Sequence, residues 1–180
     1  AVGAGLLVYD FSGADPQLIG ALSDYPFQGG NHSGWLDSER EVYVFADENH
    51  GYDLKVCDVN ELTDITVEST FNSDVDPQSI PHNLIIRDSY VFLSYYHDGL
   101  QIFDITDPAN PLKAGYYDTY LPDSHAGFAG AWGVYPHLPS GNILISDVMS
   151  GLYILGFEPD QLSVCEGDSI LVNENYETDP

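Results

Sequence analysis

The sequence predicts an all-β fold: a β-propeller of four-stranded antiparallel blades, present as a partial arc of about three and a half blades. Three observations predict it. A short pattern recurs at Gly5-Leu6-Leu7-Val8-Tyr9-Asp10, Asp53-Leu54-Lys55-Val56-Cys57-Asp58, Gly99-Leu100-Gln101-Ile102-Phe103-Asp104 and Gly151-Leu152-Tyr153-Ile154-Leu155-Gly156. Its spacing, roughly 50 residues, is the length of one propeller blade. Between the repeats lie short runs rich in β-branched and aromatic residues, broken by Gly, Pro and Asp. No stretch keeps a 3.6-residue apolar period, so almost no helix is expected.

The unit over 80–120 is the clearest. His82 to Arg87 reads as a first strand, Asp88-Ser89 as a short turn, and Tyr90 to Tyr95 as a second strand. Asp98-Gly99 supplies the positive φ of a hairpin turn. Leu100 to Ile105 is the third strand, Thr106 to Pro111 a Pro-punctuated turn and Leu112 to Asp118 the fourth, outer strand. The unit over 29–73 repeats this plan, with Glu41 to Ala46 as its second strand. Residues 5–28 hold two outer strands of an earlier blade. Residues 128–158 hold most of a later one, with Asn142 to Ser146 as its second strand.

Propellers close with roughly four to eight blades, so a shorter arc leaves sheet faces and edges uncovered. The expected partners are therefore the remaining blades of a larger chain, or a partner subunit. The chain opens on Ala1-Val2-Gly3 with neither Met nor a basic leader, and reads as a mature or truncated product.

The 180 residues are 43% hydrophobic and 13% aromatic, ample for an ordered core. No apolar run approaches the roughly 20 residues of a membrane-spanning helix. With 29 acidic and 4 basic residues the net charge is −25. That excludes nucleic-acid binding, which requires cationic contacts to phosphate, and disfavours anionic membranes. The acidic surface is either simply solvated or a collector of divalent cations. Cys57 lies in an apolar strand and reads as a small core residue; Cys165 lies in the tail, and their spacing gives no support for a bridge.

The ordered set of motifs resembles the choice-of-anchor B family of LVIVD-type repeats, in its C-terminal part. The similar segments are Asn31-His32-Ser33-Gly34-Trp35-Leu36, Ile80-Pro81-His82-Asn83-Leu84, Gly99 to Pro108, Gly115 to Tyr120, Phe128 to Pro136, Ser146-Asp147 and Gly151 to Leu155. Asp53 replaces the repeat's glycine, and Asn60-Glu61-Leu62 its usual Ser/Thr-Asp-Pro turn. The resemblance implies a secreted or surface-displayed bacterial propeller and no established activity. The tail, 159–180, has two readings. It is the outer strand of the last blade, or the start of an immunoglobulin-like module that Leu162 to Ile170 resembles.

His32, His82 and Trp132 stand at equivalent places at the start of first strands, which line a propeller's channel. Grouped imidazoles there would bind a transition metal or another ligand, or would only hold blade to blade. Asp47, Glu48 and Asp53 offer hard oxygen ligands at short spacing, a Ca²⁺-type set, with Asp74, Asp76 and Asp123 in other loops as further donors. A solvated acidic turn is the alternative. Asp10, Asp58 and Asp104 recur at strand ends and read as turn-capping acceptors. Trp35 and Trp132 are expected to pack between blades. No nucleophile elbow, phosphate loop or zinc-protease motif occurs. Three functions follow: an extracellular module binding protein or glycan, a metal-dependent hydrolase or lyase with an axial His site, or a structural spacer in a larger adhesin or appendage.

Overall fold

A computed structural model describes residues 5–122 and 127–159. Four antiparallel sheets follow one another along the chain. The first pairs β1 (Leu6–Asp10) with β2 (Gln17–Leu22). The second runs β3 (Asn31–Asp37), β4 (Val42–Asp47), β5 (Leu54–Asp58) and β6 (Thr66–Phe71). The third runs β7 (Asn83–Arg87), β8 (Tyr90–Ser94), β9 (Leu100–Asp104) and β10 (Leu112–Tyr117). The fourth is β11 (Ala131–Tyr135), β12 (Ile143–Asp147) and β13 (Gly151–Leu155). Each sheet is a simple meander, and the described residues contain no α-helix.

The apolar residues are packed between successive sheets. Tyr25, Phe45, Cys57 and Ile65 meet Leu6, Val8 and Leu22 between the first and second. Val44, Leu54 and Val56 of the second meet Leu84, Val91, Leu93 and Phe103 of the third. Phe92, Leu100 and Ile102 of the third meet Val134, Ile143 and Ile145 of the fourth. Middle strands are covered on both faces, so β4, β5, β8 and β9 are almost wholly buried, Lys55 of β5 and Gln101 of β9 included. Fully burying one such Leu or Ile stabilises the fold by about 1.5–3 kcal/mol. Consecutive meanders with cores between their faces are the arrangement of propeller blades, here a partial arc. The first strands β3, β7 and β11 approach one another along its inner side.

Local chemistry explains the turns. Asp10, Asp58 and Asp104 each accept a hydrogen bond from the backbone N–H two residues on, at Ser12 (2.7 Å), Asn60 (2.8 Å) and Thr106 (2.8 Å). This is the capping role their recurrence predicts. Gly99 takes φ +70°, where an added Cβ would meet the Tyr117 carbonyl.

All four cations are built into the scaffold. Arg40 Nη1 donates to Ile105 O (2.7 Å), tying the second sheet to the third, and Arg87 Nη1 donates to Pro136 O (2.5 Å), tying the third to the fourth. Lys113 donates to Ser73 O. Lys55 is fully buried, where Nζ donates to Asp47 Oδ2 (2.7 Å) and Phe27 O (2.7 Å) amid the rings of Tyr25, Phe45 and Tyr52. Burial pushes the Lys55 pKa down, opposed by its bond to Asp47. Cys57 is a free, buried thiol, pushed up to about 12 by desolvation. Cys165 and the tail from residue 160 lie outside the described residues, as does Asp123.

Candidate functional site

Two β-bulges shape the inner side of the arc. The β3–β4 register slips between Asn31 and Ser33, and the β11–β12 register slips between Ala131 and Gly133. The extra residues are His32 and Trp132. A bulge re-aims the side chain it carries, which frees both from the alternation of their strands. His82 sits one residue before β7, its N–H donating to Ser94 O (3.0 Å).

These three positions meet. His32 Nε2 and His82 Nε2 lie 3.2 Å apart, and the His82 ring packs on Trp132 with centroids 4.3 Å apart. His82 Nδ1 is hydrogen-bonded to the Trp132 carbonyl, which also accepts from Ser94 Oγ (2.8 Å). Ser33 Oγ donates to His82 O. Glu48, the residue after β4, joins them: Oε2 is 3.3 Å from His32 Nδ1, and Oε1 is 3.8 Å from His82 Nε2. The Tyr96 hydroxyl donates to Glu48 Oε1 at 2.5 Å. Tyr96 is held at φ +38° and exchanges backbone hydrogen bonds with Ala131.

Electrostatics follow from burial. Desolvation lowers the His82 pKa, the Trp132 carbonyl raises it, and neighbouring His32 lowers it further. Burial is also the main reason that Tyr96 is held above the ordinary phenol range, with its bond to Glu48 adding to the effect. Two imidazoles and a carboxylate thus offer one N or O donor each, all within 4.8 Å of one another. The group could hold a metal or a polar ligand, or act in proton transfer.

The oxygen set of Asp47, Glu48 and Asp53 is divided among separate surroundings. Adjacent residues at a strand end point to opposite sides. Asp47 therefore turns inward to Lys55 and Tyr25, while Glu48 reaches the imidazoles. Asp53 accepts from Thr70 Oγ1 (3.2 Å) and Asn72 Nδ2 (2.7 Å). It lines a cavity of about 380 Å³ together with Asp74, Asp76, Phe27 and Tyr95. Trp35 is 38% exposed and stacks on His137, so its packing is peripheral. Sequence reasoning missed Tyr96, whose place depends on a backbone bridge to Ala131 that no local pattern announces. It also missed the union of Glu48 with the histidines, which requires two sheets to meet.

No protein-family model matches the sequence, and no curated protein matches it either. Among solved structures, a protein from Lactobacillus plantarum superposes with a TM-score of 0.62 at 13% identity, over 84% of this chain and 45% of its own. At that identity the likeness shows the fold alone. The chain spans less than half the length of that structure.

Proposed function

We propose that this chain is the ligand-binding part of a secreted or surface-displayed bacterial β-propeller, of the choice-of-anchor B type that its repeats resemble. It engages a protein or glycan at the axial end of the arc. The supporting observation is the aromatic wall beside the polar cluster. Trp132 and Phe128 are 47% and 58% exposed, and both pack edge-on against Tyr96. Exposed ring faces beside the polar groups of His32 and Glu48 suit a neutral sugar, and the charge of −25 disfavours an anionic one. The sheets at either end of the arc expose Leu7, Tyr9 and Leu18, and Met149, Leu152 and Ile154, where further blades or a partner subunit would pack. Glycan and protein arrays probed with this chain test the reading. Expected are ligands whose binding falls about tenfold in Trp132→Ala, a loss of the size of a stacking anchor. Blank arrays count against it.

A second reading, a metal-dependent hydrolase or lyase, is favoured by the convergence of two imidazoles and a carboxylate. Chelator-sensitive turnover of ester or glycan substrates, lost in His82→Ala, would support it.

A further inference from the structure

We infer that His32, His82 and Glu48 form a binding site for one divalent transition-metal ion of the zinc class. The inference rests on the geometry of the cluster and is independent of whether a glycan or protein binds nearby.

Distance is the first argument. Two nitrogens bound to one ion at about 2.0–2.1 Å with a tetrahedral angle lie about 3.3 Å apart. The two Nε2 atoms are 3.2 Å apart, and the third donor, Glu48 Oε1, is 3.8 Å from His82 Nε2. The three donor atoms all lie within 4.8 Å of one another, and side-chain rotation that closes the longer separations completes a three-donor set.

Proton bookkeeping is the second argument. A carbonyl only accepts, so His82 Nδ1 carries the hydrogen in its bond to Trp132 O, and neutral His82 presents a lone pair at Nε2. On His32, Nδ1 lies 3.3 Å from Glu48 Oε2, and the neutral tautomer with its hydrogen on Nδ1 leaves Nε2 with its lone pair. Two lone pairs 3.2 Å apart repel unless a cation or a shared proton lies between them. His82 thus has its second nitrogen bonded to a carbonyl acceptor, the support that metal-binding histidines require. Tyr96 orients the carboxylate through Oε1 in the same way.

Donor chemistry selects the ion. Two imidazoles and one carboxylate suit Zn²⁺, Co²⁺ or Ni²⁺, whereas Ca²⁺ and Mg²⁺ take oxygen shells. Three protein donors leave a four-coordinate ion one position for water or a ligand. The donors come from the second sheet and the start of the third, and the fourth sheet supplies the Trp132 carbonyl, so the set is held by three sheets.

The test must separate this site from loose binding to 29 acidic side chains. The 180-residue chain is stripped with chelator and titrated with Zn²⁺ in millimolar Ca²⁺, which occupies the carboxylate surface. Expected is one tightly bound Zn²⁺ per chain, a visible Co²⁺ spectrum of a four- or five-coordinate ion, and a higher thermal midpoint with Zn²⁺. His32→Ala and His82→Ala abolish the tight equivalent, and Glu48→Gln weakens it at least about tenfold. His82 is buried, so its variant is also checked for fold by circular dichroism; half-exposed His32 and Glu48 decide the matter if that variant unfolds. Binding well below one equivalent in Ca²⁺, or full binding in both His32→Ala and Glu48→Gln, overturns the site. Blank arrays alongside one tight Zn²⁺ would remove the ligand reading and leave the metal site standing.

Discussion

His32 and His82 are 50 residues apart in sequence, yet their Nε2 atoms lie 3.2 Å apart. The approach places a buried imidazole where its neutral form is favoured. Desolvation is the chief cause of the lowered His82 pKa. The charged or titratable groups that face it are His32 and Glu48, and the Trp132 carbonyl and the Tyr96 ring complete its surroundings. Because the folded value lies below the ordinary 6.5, the unfolded chain takes up the proton first as pH falls. The contribution is fully present above 6.5 and is lost as pH drops from there toward the folded value. Denaturant titrations at pH 7.5 and 5.5 should therefore show a larger loss of stability in the wild type than in His82→Gln. Equal losses would show that burial of this ring is not coupled to folding.

Lys55 and Asp47 form a fully buried ion pair. Removing one partner leaves the other charge uncompensated in an apolar setting. Lys55→Met should destabilise the chain by about 3–5 kcal/mol. The double variant Lys55→Met/Asp47→Asn should recover a good part of that loss, because neither charge then remains buried alone. Urea unfolding of the single and double variants measures this. A double variant no better than the single one would mean that lost packing, not the stranded carboxylate, sets the cost.

The inter-sheet clasps depend on the shape of the guanidinium. Arg87 Nη1 reaches both Pro136 O (2.5 Å) and Gly141 O (3.2 Å), and its guanidinium carbon lies 4.8 Å from the centre of the Phe92 ring. A lysine ammonium can donate to both carbonyls from one nitrogen but cannot at the same time lay a planar guanidinium against the ring. Arg87→Lys should cost about 1.5 kcal/mol in thermal or urea unfolding, the low end of the range for hydrogen bonds to charged groups. Full retention of stability by the lysine variant would reduce the clasp to simple charge.

The strands were legible because their signals are local. Asp88-Ser89 and Asp98-Gly99 bracket β8, and the structure places that strand at Tyr90–Ser94, within one residue of the pattern-based span. Gly151–Leu155 coincides with the final repeat. The recurring aspartates were legible for the same reason, since each bonds only two residues on. The axial cluster was legible in part. Equivalent places in the repeat put His32 and His82 together, but nothing local distinguishes Asp47, which turns to Lys55, from Glu48, which turns to the histidines. That choice is made at the end of β4 by the alternation of the strand and by which sheet lies on each side. Tyr96 owes its position to Ala131, 35 residues downstream, and such a bridge leaves no trace in a sequence window.

That bridge gives the last prediction. Gly130 takes φ +94°, and a Cβ there would collide with the Tyr96 carbonyl oxygen. The same oxygen accepts the Ala131 N–H at 2.8 Å, and the Tyr96 N–H donates to Ala131 O at 3.0 Å. Gly130→Ala therefore adds both backbone strain and a clash at the only link between Tyr96 and β11 among the described backbone bridges. The expected cost is about 2 kcal/mol or more, above the roughly 1 kcal/mol of a positive-φ alanine alone. Gly141→Ala isolates the strain. Its φ is +82°, and an added Cβ would meet nothing within 4 Å. The two variants should also differ at the axial site. Moving Ala131 shifts the adjoining Trp132 carbonyl that holds His82, and moving Tyr96 releases Glu48 Oε1. Zn²⁺ affinity should fall in Gly130→Ala and hold in Gly141→Ala. If both variants lose the same stability and neither changes metal affinity, the Tyr96–Ala131 bridge does not position the cluster.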